Sequence, residues 1–466
     1  GVDFVSVSPM RDDVIAEAGA EWLPVRPNSD VALMLALAHT LVAEGLHDRA
    51  FLDRYTVGFD RFRAYLDGSA DGVAKSADWA APLAEVPAGT IRALARRMAR
   101  SRTFLMMAWS LQRADHGEQP CWALIALAAL LGQIGLPGGG FGLGYGSANG
   151  VGNPGCPVAW PSLPQGTNPV GAFIPVARIA DMLLKPGEPF DFNGNRHTYP
   201  DIRLVYWAGG NPFHHHQDLN RLAAAWQRPE TVIVNESFWT PTARHADIVF
   251  PVTTFVERND IACRHGEPFV VASHRIADPP GEARDDYAVF RGLAARLGAE
   301  ERFTEGREEA DWLRALHAAA SRSVAALGAS MPDFETFWED GVFVLPDPAT
   351  EPCLLDDFRR DPDAHRLKTP SGRIELFSET IAGFGYPDCP GHPAWIEPAE
   401  WLGSAAAADY PLHLLSTQPE RRLHSQLDST GYSRDGKVAG REPLRLNPED
   451  AARRGIRDGD VVLVRS

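Results

Sequence analysis

The 466-residue sequence predicts an α/β protein built on mostly parallel sheets, followed from about residue 401 by a mainly β segment. Two observations carry this. Short apolar runs repeatedly end in polar or glycine-containing loops, and amphipathic helix-length stretches follow them. Hydrophobic residues make up 44% and charged residues 23%, a balance that buries large cores at about 100–200 residues per domain. The pattern divides into an α/β region over residues 1–180, a second over 181–400 that turns irregular from about 261, and a β region over 401–466.

Taken in order, Phe4–Val7 reads as a strand running into Ser8-Pro9. Ser29 or Asp30 caps a helix to about Glu44, with Leu33, Leu37 and Leu41 on one face and Gly45 ending it. Pro87 opens a helix over Ile91–Ala99, in which Arg92, Arg96 and Arg100 form a solvated face. Phe104–Ala108 is a strand leading into Trp109-Ser110-Leu111-Gln112-Arg113. Pro120 stands as a first helical residue before a buried helix, Cys121–Leu131. At eleven residues that run falls short of the roughly 20 that cross a bilayer, so no membrane span is expected.

Pro137–Pro157 holds nine glycines in 21 residues and is expected to be irregular, either a loop lining a cofactor or substrate or a flexible lid. The spacing from Leu204 to Val234 fits one right-handed β-α-β unit with its helix near Leu219–Trp226. Its first strand ends in Gly209-Gly210-Asn211-Pro212, its second in Asn235-Glu236-Ser237. Farther on, Leu412–Leu415 reads as a strand ending in Ser416-Thr417-Gln418-Pro419. Asn447-Pro448 starts a short helix that Gly455 stops, and Asp458-Gly459-Asp460 turns into a strand, Val461–Val464.

The formal net charge of −16 argues against nucleic acid as a partner. Only Lys75, Lys185, Lys368 and Lys437 are lysines, a bias that genome composition explains, although arginine forks also suit phosphates. The five cysteines are scattered without a C-x-x-C pair, which favours a reducing, cytoplasmic setting and leaves a periplasmic one open. Neither end carries a signal peptide or tail, so the sequence is read as an interior segment of a longer protein.

Gly150-Val151-Gly152-Asn153-Pro154-Gly155 matches G-x-G-x-x-G in form only. No strand precedes it, no helix follows, and Pro154 removes an amide that a phosphate needs. His214-His215-His216 resembles a metal site, but three adjacent side chains do not converge on one ion. The stronger signal is position. Ligands of open parallel sheets bind beyond the carboxyl ends of strands, and the post-strand residues here are polar: Ser8, Trp109-Ser110, Asn211, Asn235-Glu236 and Ser416 to Gln418. Amides and aromatics with arginines nearby suit a nucleotide, while a turn-forming role fits each residue taken singly.

Several stretches carry a resemblance: Trp109 to Arg113 with His116-Gly117-Glu118-Gln119, Leu131 to Gly140, Tyr206 to Asp218, Ala243 to Pro251, Arg422 to Gln426, and Gly440-Arg441-Glu442-Pro443. In order and over most of its length, the sequence resembles the molybdopterin oxidoreductase superfamily. It is most similar to the branch of dimethyl sulfoxide, trimethylamine N-oxide and biotin sulfoxide reductases. The resemblance implies molybdenum in a bis(molybdopterin guanine dinucleotide) cofactor, gripped by α/β domains and a C-terminal double-psi β-barrel that is truncated here. It implies an S-oxide or N-oxide as substrate and a separate protein as electron donor.

Carried over residue by residue, Ser8 and the Asn28-Ser29-Asp30 turn would address one guanosine, with Trp109, Ser110 and Arg113 against pterin and phosphates. Asn211, His215, Asn235, Glu236, Arg258 and Asp286 would hold the second nucleotide. Ser416, Thr417, Gln418, Pro419, Arg422, His424, Ser425 and Gln426 would close over the pterins. The branch's metal-ligating serine lies upstream of the matched region, so no residue is named as metal ligand and none as catalytic. Ala114-Asp115 departs from the branch's more usual polar or histidine pair. The rival readings are another oxidoreductase of the superfamily, of formate dehydrogenase or nitrate reductase type, and a metal-free binding or scaffold protein on the same fold.

Overall fold

Parallel strand pairs, each followed by a polar turn, organise the molecule. The computed structural model describes residues 1–144, 156, 158–264, 266–346, 353–425 and 427–465. The chain forms two units, Gly1–Gly155 with Pro348–Leu414 and Cys156–Asp347 with Leu415–Ser466.

In the first unit the strands Val5–Val7 and Glu21–Leu23 pair in parallel, as do Phe104–Met107 and Gly140–Leu143. The second pair corrects an expectation. Gly140-Phe141-Gly142-Leu143 was to be irregular, yet its alternation of glycine with large apolar residues fits a strand, and its glycines are the buried positions. The rest of the glycine-rich stretch, with the Gly150–Gly155 motif, lies outside the described residues.

The Asp30–Ala43 helix is buried on several sides rather than along the Leu33, Leu37, Leu41 face alone, with Leu35, Ala36 and Leu41 at 1% exposure or less. Ser29 sits at its N-cap without capping through its side chain; the hydroxyl donates to the Arg26 carbonyl instead (2.6 Å). Gly45 follows with φ +66°, a left-handed stop that costs glycine little. The arginines of the Ala88–Arg100 helix are partly neutralised: Arg96 forks onto Glu44 through two 2.8 Å bonds, and Arg92 pairs with Asp78. Pro120 is the third residue of the Glu118–Leu130 helix, still within the first turn where amides need no helical partner. Asp48 caps the Arg49–Tyr55 helix by accepting from the Phe51 amide (2.9 Å). Asp48→Ala should therefore lower unfolding free energy by about 1 kcal/mol in a urea titration; a shift indistinguishable from zero would deny the cap.

The second unit bears out the β-α-β reading. Leu204–Ala208, the helix Leu219–Trp226 and Thr231–Glu236 follow in order, the two strands pair in parallel, and Ile248–Pro251 adds a third parallel strand. Leu222, Ala225 and Trp226 pack beneath Val232 and Val234. A separate antiparallel sheet joins Asp260–Cys263, Phe269–Ser273 and Val342–Val344. From residue 401 the expected β structure is not found among the described residues, where only a Val438–Arg441 bridge pairs backbone. Val461, Leu463 and Leu414 are 73%, 75% and 62% exposed: among the described residues no neighbouring strand supplies the hydrogen bonds that would define these apolar runs as strands. The short helix starts as expected, Pro448–Arg453, with Asn447 accepting from the Glu449 amide (2.9 Å).

Candidate functional site

In the first unit the expected residues stand on two strand ends. Ser8 follows Val5–Val7, and its amide donates to Leu23 of the parallel neighbour (3.2 Å). Its buried hydroxyl is already engaged, donating to Asp13 and accepting from the Met10 amide (3.0 Å), so it shapes the turn. Asn28 adopts φ +65° and donates to the Glu400 carbonyl (3.4 Å). Asp30 is the first residue of its helix, and crowding by surrounding protein pushes its carboxyl above the ordinary range.

Trp109, Ser110 and Arg113 form a 3-10 turn directly beyond Phe104–Met107 and all three are exposed. Among the described residues Arg113 has no ion-pair partner, unlike most arginines of this chain. No hydrogen bond or ring contact joins this turn to Ser8 or to Asn28–Asp30 among the described residues. Nearby, Asp115 accepts from the Ala399 amide (3.0 Å), with His116 at φ +53° beside it.

The second unit gathers its residues more tightly. Ala208 faces Asn235 across the parallel ladder, so the Gly209–Asn211 turn and the end of the next strand share one sheet edge. Gly209 and Gly210 both have φ near +80°, and a Cβ on Gly210 would lie 3.9 Å from the His215 ring. Asn235 accepts from the Tyr206 hydroxyl (2.9 Å) and donates to Asp286 (2.8 Å). Burial first, then the Asp286 charge, hold the Tyr206 phenol above its usual range. Asp286 opens the Asp286–Arg296 helix, while Asp285 caps it by accepting from the Ala288 amide (2.7 Å). The two adjacent aspartates thus divide labour, and Asp286 keeps carboxylate capacity for another donor.

Glu236 is occupied locally, accepting from the Ser237 amide (2.9 Å) and the Thr240 hydroxyl (3.0 Å). Arg258 donates to the Thr253 carbonyl (3.1 Å) and to Asp260 (3.2 Å). Asn211, only 4% exposed, accepts from the Thr242 hydroxyl and donates to Ser425 (3.0 Å). It ties the strand end to the C-terminal segment. Thr242, fully buried, escaped the sequence reading, although Thr240-Pro241 signals the start of its helix.

Within the C-terminal segment, Ser416 and Thr417 are exposed, Pro419 is half-buried, and the Gln418 carboxamide donates to the Arg422 carbonyl. Arg422 meets Asp428 (3.4 Å) and Glu442 (3.1 Å), and Lys437 meets the same two carboxylates (2.8 and 3.6 Å). The Lys437 bond above all holds the Asp428 carboxyl below its usual range. Asp428 and Lys437 were not anticipated. Their spacing carries no local signal, whereas Glu442 fell inside a quoted motif. Gln426 lies outside the described residues.

Two families describe this architecture. Residues 2–296 match the model of the molybdopterin oxidoreductase family, and residues 412–466 match that of the "Molydopterin dinucleotide binding domain". The chain belongs to the molybdopterin oxidoreductase family.

It is 52% identical over 464 residues to a biotin sulfoxide reductase of Cereibacter sphaeroides, covering 99% of this chain and 62% of that protein. A dimethyl sulfoxide/trimethylamine N-oxide reductase of the same organism is 48% identical, covering 100% and 58%. A trimethylamine-N-oxide reductase of Haemophilus influenzae is 46% identical, with the same coverage. The chain thus spans about three fifths of these curated relatives. Among solved structures, acetylene hydratase from Pelobacter acetylenicus superposes with a TM-score of 0.64 at 20% identity, over 98% of this chain and 62% of that one, a likeness of fold. Among the described residues no helix is long and apolar enough to cross a membrane.

Proposed function

We propose that this chain is the larger part of a molybdenum-dependent reductase that removes oxygen from an S-oxide or N-oxide. The observation that carries the reading is the 52% identity to a biotin sulfoxide reductase across nearly the whole chain. The polar residues beyond the strand ends support it. The residues present fit a guanine dinucleotide chemically. Asp30 and Asp286 are carboxylate acceptors at the first residue of their helices, and a guanine edge presents N–H donors. Arg113 offers an unpaired guanidinium to a phosphate.

When bound, a bis(molybdopterin guanine dinucleotide) molybdenum group supplies the two-electron redox chemistry of oxygen-atom transfer. This chain's part is to bind and orient. Asp30, Trp109, Ser110 and Arg113 of the first unit hold one nucleotide and its pterin, with Ser8, Asn28 and Ser29 shaping the turns that lead to Asp30. Asp286, Asn235, His215 and Arg258 of the second unit hold the other, with Glu236 bracing their loop. Ser416 to Pro419, Arg422 and His424 to Gln426 cover the pterins as the beginning of a C-terminal double-psi β-barrel, a reading supported by the family match over 412–466. A separate electron-donor protein completes the cycle.

The test uses the full-length protein. Molybdenum by elemental analysis, guanine nucleotide after acid hydrolysis, and oxidation of reduced viologen by biotin sulfoxide, dimethyl sulfoxide or trimethylamine N-oxide are expected together. Turnover of nitrate or formate alone would move the protein to another branch. Absence of both metal and nucleotide would leave a binding protein.

A further inference from the structure

Arg422 is 13% exposed and its guanidinium is nearly saturated. Nη2 donates to Glu442 (3.1 Å) and Nε faces Asp428 (3.4 Å). Nη1 carries two protons: one goes to the His424 carbonyl, the other to Nε2 of His214 (3.2 Å). A guanidinium only donates, so His214 Nε2 must present a lone pair, which requires a neutral ring with its proton on Nδ1. His424, whose carbonyl Arg422 grips, sits at φ +51°, a conformation that a non-glycine residue keeps only when its surroundings hold it. The next residue, Ser425, accepts from Asn211 at the strand end.

We infer that His214 is a positioning residue: as a neutral acceptor it seats Arg422, and the pair holds His424 and Ser425 against the Gly209–Asn211 turn, so the segment loosens when His214 gains a proton. The groups facing it agree. Partial burial first, then Arg422, His424 and His215, lower its basicity, and Asp428 alone opposes them, itself shared with Lys437 and Arg422. The sign follows. A base weaker in the seated state binds fewer protons there, so seating strengthens as pH rises; it is complete above about pH 6.5, the ordinary imidazole value, and fades below it. The functional consequence rests on the proposed cofactor reading, because the seated residues are among those assigned to the pterins.

The experiment records histidine side-chain ¹⁵N spectra and amide hydrogen exchange of residues 420–425 on the full chain from about pH 5 to 8. Expected are the Nδ1–H tautomer for His214, assigned by its loss in His214→Gln, and about tenfold faster exchange at the acid end after correction for chemical rates. His214→Gln, which keeps a neutral acceptor, should flatten that profile. His214→Lys should exchange fast throughout while the Thr231–Glu236 strand stays protected. An Nε2–H tautomer, or a wild-type profile in His214→Gln, would overturn the inference, and the tautomer decides alone if His214→Lys does not fold. Guanine nucleotide content, measured in parallel, tests the cofactor reading separately.

Discussion

Replacing Asn211 with alanine is expected to lower the unfolding free energy of its unit by about 2–4 kcal/mol. Its carboxamide accepts from the Thr242 hydroxyl and amide and donates to Ser425, all around a residue that is 4% exposed. Alanine removes the acceptor while leaving the Thr242 hydroxyl in a place water does not reach, and an unmatched buried donor costs more than a bond at the surface. Loss of the Ser425 bond should also raise hydrogen exchange near that residue. Asn211→Asp is the informative companion: it keeps the acceptor for Thr242 but brings a buried charge and no donor for Ser425. A urea midpoint for Asn211→Ala within error of wild type would show that the junction carries no stability.

Such a junction explains which parts of this molecule were legible in the sequence. The Leu204–Ala208 strand, the Leu219–Trp226 helix and the strand after it follow from local periodicity, because each element's apolar spacing already names the face it buries. Asn211 and Asn235 were findable because polar residues at the carboxyl end of a parallel strand mark the sheet edge, Asn235 within the last two residues of its strand and Asn211 in the turn after its own. Thr242, Asp428 and Lys437 were not. Thr242 meets Asn211 across 31 residues, Asp428 meets Arg422 across 6, and Lys437 meets Asp428 across 9, and no local pattern encodes such meetings.

The failures have physical reasons too. Gly140–Leu143 hid its strand because glycine counts as a breaker, although glycine also stands where another backbone approaches closely, and a Cβ on Gly140 would lie 3.2 Å from the Ile134 Cα. The C-terminal runs around Leu412 and Val461 have strand-like composition, but a strand exists only through its partner's backbone, and among the described residues none pairs with them. Ser8, Ser29 and Glu236 share a subtler lesson. Each stands at a strand end, just past one or at a cap, and each spends its side chain on its own turn. Position alone does not separate a residue that touches a ligand from one that shapes the loop around it.

Asp286 marks the other side of that division and carries the largest expected effect on binding. Asp285 already serves the helix N-terminus, so losing the Asp286 carboxylate leaves the cap intact. It does strip Asn235 of an acceptor and, on the proposed reading, strips a guanine of the group that pairs with its N–H donors. A site built around a charged hydrogen bond discriminates strongly when that bond is removed. Asp286→Ala should therefore bring guanine nucleotide released by acid hydrolysis down to about half of wild type, as the second unit's site empties while the first unit's is retained. The urea midpoint should fall far less than for Asn211→Ala, because the Tyr206 hydroxyl donates to the Asn235 carboxamide oxygen (2.9 Å), a bond that does not involve Asp286. Full nucleotide content in a folded Asp286→Ala protein would remove this carboxylate from the binding site and return Asn235 and Tyr206 to a structural role at the end of their strands.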